Sequence, residues 1–220
     1  MQIDIVSDAV CPWCFIGKRN LEKAIDQLAS RHSPVGTPQV RWHPFQLNPL
    51  LASRGVPRQE YTSSKFGGAD RAHEIYQRIA GAGAAAGIEF QFDAIEMQPN
   101  TVDTHQLILL AGQLDVQDGV VESMFRGFFL EGRNLADRQS LLDLAQRGGL
   151  PRSDAERCLE RQLLRKTVEE QDEHARKLGV EGVPFFIFDH KLAVSGAQPP
   201  EVLAQAMNEA ISQAPAEKPA

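Results

Sequence analysis

Cysteine is scarce in this chain, three among 220 residues, too few for the disulfide framework of a small secreted domain. No second C-x-x-C and no H-x3–5-H pair is present, so four zinc ligands do not assemble from recognisable spacings. No run of about 18 apolar residues occurs, so nothing is expected to span a membrane. The blandest stretch, Ala80 to Gly87, holds only alanine and glycine. Positive charge is in deficit, with 23 Lys and Arg against 29 Asp and Glu for a net charge of −6. That balance argues against general nucleic-acid binding, which needs a basic surface. A hydrophobic share of 42% and a charged share of 24% exclude disorder and collagen-like repeats. The start of the chain has no basic segment, apolar segment and small-residue cleavage site in succession. The protein is therefore expected to be cytoplasmic; a leader already removed would reverse this.

The apolar pattern alternates between the strand and the helix period along the chain. Ile3 to Val6 reads as a strand ending at Ser7-Asp8. Ile16, Leu21, Ala24, Ile25 and Leu28 then mark a helix. Pro12 suits its first position, where a missing N–H costs nothing, and this puts Cys11 at the helix N-terminus. Ser33-Pro34 through Pro38 is a loop, and Gln39 to Phe45 alternates as a second strand. A strand, helix, strand unit with this crossover has parallel strands.

From Asn48 to Gln162 the period is helical, and nothing there alternates convincingly like a strand. Gly87 is a plausible helix stop, Asn100 with Asp103 opens another helix, and Leu141 to Ala145 lie in one that ends at Gly148-Gly149. Ser153-x-x-Glu156 has the form of a capping box, opening a helical stretch that runs with a break to Leu178-Gly179. Phe185 to Phe188 is an unbroken apolar run, expected to be a strand buried on both faces. Asp189-His190 turns it into Lys191 to Val194, an antiparallel hairpin. Pro199-Pro200 introduces a last helix. The order β-α-β, helical block, α-β-β-α is an α/β thioredoxin-like fold carrying an all-helical insertion. The expected division is a thioredoxin-like domain of residues 1–48 and 163–213, an insertion of 49–162, and a frayed tail of 214–220.

Cys11-Pro12-Trp13-Cys14 follows a strand and opens a helix, the context that turns a C-x-x-C match into redox chemistry. Unpaired N–H groups and the dipole of a helix N-terminus favour a thiolate. Cys11 is expected to be the more exposed, attacking sulfur and Cys14 the resolving one, with exchange passing through a mixed disulfide. Inert core thiols, half of a zinc site and a structural disulfide are the competing readings; the strand-to-helix position, the missing ligands and the expected cytoplasmic setting count against them in turn. Gly182-Val183-Pro184 precedes the Phe185 strand. Loop punctuation is the plain reading of Pro184. In a thioredoxin fold its role is a cis bond facing the nucleophile, leaving the Val183 backbone for an extended partner.

The segments Asp8-x-x-Cys11-Pro12-Trp13-Cys14-Phe15-Ile16-Gly17, Pro44-Phe45-Gln46-Leu47-Asn48-Pro49, Asn100-Thr101, Gly182-Val183-Pro184-Phe185 and Val194-Ser195-Gly196-Ala197-Gln198 carry a resemblance. Taken in order, they are similar to the FrnE-like branch of the DsbA-type thioredoxin-fold oxidoreductases. The resemblance implies the insertion, the cis proline and a dithiol–disulfide activity. It extends to kappa-class glutathione transferases and 2-hydroxychromene-2-carboxylate isomerases, which typically carry serine where Cys11 stands. Thr104-His105 stands where the pattern leads one to expect Ala-His. Asn48 and Gln198 are glutathione or peptide contacts by resemblance only.

Trp13 is either packing or an apolar face for a substrate. It lacks the charge that a histidine between the cysteines would bring, which points to a less oxidising pair. Asp8, His43 and His105 are candidate modulators: Asp8 would disfavour a nearby thiolate or cap the turn, and the histidines would face the cleft or simply pack. Cys158 reads as a buried structural thiol. The leading expectation is a thiol–disulfide oxidoreductase that uses no metal or organic cofactor, with protein disulfides or glutathione as its partners. Two rivals stand beside it: a glutathione-dependent isomerase or transferase, and a non-catalytic chaperone-like module.

Overall fold

The computed structural model describes residues 1–30 and 37–212. The loop expected at Ser33-Pro34 and the tail expected at 214–220 lie outside the described residues. β1 (Gln2–Ser7), α1 (Pro12–Ser30) and β2 (Gln39–Pro44) form the expected opening unit, with β1 and β2 parallel and Ile5 opposite Trp42. β5 (Phe185–Phe188) and β6 (Leu192–Ser195) are the antiparallel hairpin, Phe186 opposite Val194. β5 also pairs antiparallel with β1, giving the sheet order β2-β1-β5-β6.

The register sorts the side chains into two faces. Ile3 and Ile5 of β1 oppose Phe188 and Phe186, and all four are fully buried with Phe15, Leu203 and Met207. These last residues come from α1 and α9 (Pro200–Ser212), which pack side by side. Val6 belongs to the other face, in a smaller cluster with Ala175 and Val180 at α8 (Arg165–Lys177). Burial on both faces therefore falls to central β1. The expectation of it for β5 is corrected: Phe186 and Phe188 are buried, but Phe185 and Ile187 are half-buried because α8 covers only part of their face. At the other edge the Gln117 side chain accepts from the Trp42 amide at 2.9 Å and donates to the Trp42 carbonyl at 3.0 Å. One amide thus does what a neighbouring strand would do, and blunts an exposed edge.

Between β2 and β5 the chain forms α2 (Arg58–Phe66), α3 (Ala69–Ala86), α4 (Val102–Gln113), α5 (Gln117–Glu131), α6 (Arg138–Arg147) and α7 (Arg152–Arg161). A two-stranded antiparallel ribbon, β3 (Val56–Pro57) with β4 (Met97–Gln98), interrupts the helices. The block is thus helical but not wholly so; strands of two residues are too short to leave an alternating pattern. Gly87 ends α3 at φ +88°, the expected left-handed stop. The capping box at Ser153 is not used. α7 begins one residue earlier, after Pro151, and Glu156 accepts from the Arg152 guanidinium at 3.1 Å rather than reaching back.

The insertion packs directly on the helix that carries the cysteines. Phe15 stacks on Phe125 of α5 at 5.1 Å, with Phe90 and Phe129 around them. Lys18, 4% exposed, reaches Glu22, Asp118 and Glu122, tying α1 to α5 through charge as well as through rings. Two of the sequence motifs prove to be halves of one joint. The Asn100 side chain accepts from the Val102 amide and the Gln46 side chain, and donates to the Pro49 and Leu51 carbonyls.

Candidate active site

β1 delivers the chain to a turn at Ser7-Asp8, and the turn is closed by the Cys11 amide donating to the Asp8 carbonyl at 3.0 Å. Pro12 then starts α1, so Cys11 is the last residue before the helix and Cys14 sits one turn inside. The Cys11 Sγ lies 3.4 Å from the Val183 carbonyl oxygen, to which its thiol donates. The Val183-Pro184 peptide bond is cis. Gly17 explains how the proline comes so close. A Cβ on Gly17 would stand 2.9 Å from Pro184 Cγ and 3.1 Å from the Phe186 ring, so only glycine lets α1 and this loop meet undisturbed.

Cys11 is more exposed than Cys14, as the sequence order suggests, but the margin is small: 4% against 0%. The margin is narrow because the Val183 carbonyl lies against the sulfur. Trp13 between them is 41% exposed. All three cysteines are free thiols. Burial pushes the Cys14 thiol well above its ordinary range, and the hydrogen bond and charge of Cys11 push it further. The Ser7 hydroxyl and the Asp8 backbone N–H oppose this from the turn. The pair is therefore asymmetric: one sulfur at the helix mouth, and one held as a thiol behind it.

Other expected site residues divide sharply. Asp8 is fully buried, and its side chain is engaged by other groups: Oδ2 accepts from the Leu47 amide at 2.7 Å, and Oδ1 is 3.3 Å from Nε2 of His105. His105 thus joins the site through Asp8. His43 is committed elsewhere, with Nε2 at 2.7 Å from Asp4 Oδ1 on the sheet. Asn48 accepts from the Tyr61 hydroxyl at 3.2 Å, on the wall of a cleft of about 430 Å³ shared with Leu47 and Lys65. Gln198 bonds to the Ser195 carbonyl, and its own carbonyl takes the Asn20 side chain of α1, an anchoring role at the start of α9. Cys158 is fully buried in α7, and burial, then the Asp103 charge, raise its thiol. Two clefts of about 500 Å³, one along β2 and one beside Arg58, contain none of the cysteines. Among the described residues no three His, Cys, Asp or Glu side chains are placed to hold a metal ion. No helix among the described residues is long and apolar enough to cross a membrane.

Sequence reasoning missed Ser7 and Gly17. Both had a signal: Ser7 ends the strand on the side of the C-x-x-C turn, and Gly17 stands one helical turn after Cys14 on the same helix face.

Residues 2–208 match the model of the DSBA-like thioredoxin domain family. The chain belongs to that family. A probable DsbA oxidoreductase from Streptomyces coelicolor superposes with a TM-score of 0.88 at 29% identity, covering 99% of this chain and 93% of that one. The cytosolic disulfide reductase DsbM from Pseudomonas aeruginosa, solved with GSH, gives 0.67 at 20% identity, covering 97% of this chain and all of that one. A Bacillus subtilis protein, YwbO, is 24% identical over 210 residues, 95% of this chain and 96% of its own length. The DsbA-like thioredoxin fold with its helical insertion, expected from the sequence, is the fold of this protein.

Proposed function

We propose that this DsbA-like protein performs thiol–disulfide exchange with Cys11 and Cys14. Cys11 attacks a partner disulfide and forms a mixed disulfide. Cys14 then attacks Cys11, closes the protein's own disulfide and releases the partner thiol. The observation that carries this reading is the placement of Cys11 Sγ at the open end of α1, 3.4 Å from the Val183 carbonyl, with Cys14 buried behind it. Exposed Trp13 and the Val183-Pro184 backbone frame the approach, so a partner enters as an extended segment along that rim. The dithiol is itself the redox group, and no metal or organic cofactor takes part. Partners are protein disulfides or glutathione, in the cytoplasm, and the negative net charge disfavours nucleic acid.

A glutathione-dependent isomerase or transferase is the second reading, weakened by the cysteine at position 11 where such enzymes resemble this chain with serine. A chaperone-like module that uses the cleft without chemistry is the third. Cys11→Ser and Cys14→Ser separate the three. Exchange predicts loss of disulfide reduction in both. An isomerase keeps glutathione-dependent activity in Cys14→Ser, and a chaperone-like module is indifferent to Cys11→Ser. Cys14→Ala should accumulate a Cys11 adduct with the partner, visible by mass spectrometry. Retained reduction of a model disulfide by Cys11→Ser refutes the proposal.

A further inference from the structure

The helical insertion holds a cation that lacks a counter-charge. Arg58 opens α2 directly after β3, and its backbone amide donates to the Glu96 carbonyl at 2.8 Å, which fixes it beside the β3–β4 ribbon. Its side chain donates through Nη1 to the Gln98 amide oxygen and through Nη2 to the Tyr76 hydroxyl, the latter at 2.6 Å. The guanidinium carbon lies 5.0 Å from the centre of the Tyr76 ring and 5.7 Å from that of Tyr61. Both acceptors are neutral, and no carboxylate among the described residues pairs with Arg58. Burial accordingly pulls the guanidinium below its ordinary range. A charge drawn out of water without a partner is costly, and the other N–H donors of the fork have no acceptor among the described residues. Arg58 also lines a cleft of about 500 Å³, a volume typical of small-molecule sites. One wall of it is aromatic: the half-buried Tyr76 and Phe92 rings stand 4.7 Å apart. The other titratable groups of the cleft, His73, Asp93 and Glu96, are exposed.

We propose that this cleft is a binding site for a small aromatic carboxylate, which gives its charge to the unused donors of Arg58 and its ring to the Tyr76–Phe92 wall. Arginine suits the task, because its planar fork matches a carboxylate with parallel hydrogen bonds. The wall favours a flat body, since aromatic rings gain from offset or edge-on contact beyond the area they bury. A single negative charge fits better than two, because Asp93 and Glu96 repel a second one. The guanidinium is held from both sides, by β4 through Gln98 and by α3 through Tyr76, so little order has to be gained when the ligand arrives. The cleft contains none of the cysteines, and the site stands apart from the exchange proposed above.

Equilibrium dialysis with 2-naphthoate, read by its absorbance, tests the site. Naphthalene-2-carboxamide serves as the ring without the charge, and acetate, as a competitor, as the charge without the ring. 2-Naphthoate is expected to bind about tenfold more tightly than the carboxamide, and equimolar acetate should not displace it. Arg58→Met should weaken 2-naphthoate binding about tenfold. Thr62→Tyr, which fills the cleft and leaves Arg58 in place, should weaken it as much, and decides the matter if Arg58→Met does not fold. Glu96→Gln, a change at an exposed position, should tighten binding about two- to fivefold at low salt by removing a repelling charge. Binding of 2-naphthoate no tighter than that of the carboxamide, or undiminished in either folded variant, overturns the proposal. So does weaker binding in Glu96→Gln.

Discussion

The contact between α1 and the cis-proline loop makes a sharp quantitative demand. Gly17→Ala places a methyl group 2.9 Å from Pro184 Cγ and 3.1 Å from Phe186 Cζ. Neither neighbour can yield cheaply, since one belongs to a closed ring on the backbone and the other to a fully buried ring. Overpacking of this kind costs about 1–3 kcal/mol. Alanine returns part of that, because glycine inside a helix is worse by about 0.5–1 kcal/mol. The clash outweighs the propensity gain, leaving a net loss of about 1 kcal/mol, or about 2–4 °C in Tm for a chain of this size. Gly81 in α3 is the internal control, because nothing lies within 4 Å of a Cβ built there. Gly81→Ala should raise stability by about 0.5–1 kcal/mol. Urea unfolding of the two variants beside the parent should therefore give shifts of opposite sign. A Gly17→Ala protein as stable as Gly81→Ala would refute the close packing that holds Pro184 against the cysteine helix.

The ring cluster joining insertion and cysteine helix gives a larger effect: Phe125→Ala should cost about 3–5 kcal/mol in urea unfolding, because it opens a cavity beside Phe15. Glu122 supplies a pH dependence. Burial alone would raise its carboxyl, but the Arg19 hydrogen bond and the Lys18 charge win and hold it below the usual range. Its folded value thus lies below its unfolded one, so its contribution is present above the unfolded value, near pH 4.3, and is lost as pH falls through the folded one. Glu122→Gln should lower Tm at pH 7 by the equivalent of about 1 kcal/mol, and the difference should close on acidification in a thermal series. Cys158 should resist iodoacetamide in the native protein and react only after denaturation, because burial holds it as a thiol. Peptide mapping that finds Cys158 labelled before Cys11 would contradict its placement in α7.

Much of this protein was legible in one dimension. The two periods of apolar residues located the strands and helices, because burial on one face repeats every second residue in a strand and about every 3.6 in a helix. A cysteine pair between a strand and a proline-led helix was legible as the place of the proposed chemistry, because that position needs no distant partner to define it. Asn100 and the Gln46 to Pro49 segment were visible as motifs, yet their meaning as a single hydrogen-bonded joint was not. Ser153-x-x-Glu156 misled because Arg152, absent from the motif, competes for the same carboxylate.

What only the tertiary structure decided is whatever depends on which distant segments meet. The cover that Val183 puts over Cys11, the approach of Pro184 that Gly17 permits, and the pairing of Asp8 with His105 rather than with the thiol all join residues far apart in the chain. Local patterning records which way a side chain faces, since that is fixed by backbone geometry. It carries no record of what stands opposite, because that is set by how whole layers pack, and a few ångströms there separate a modulator from a bystander.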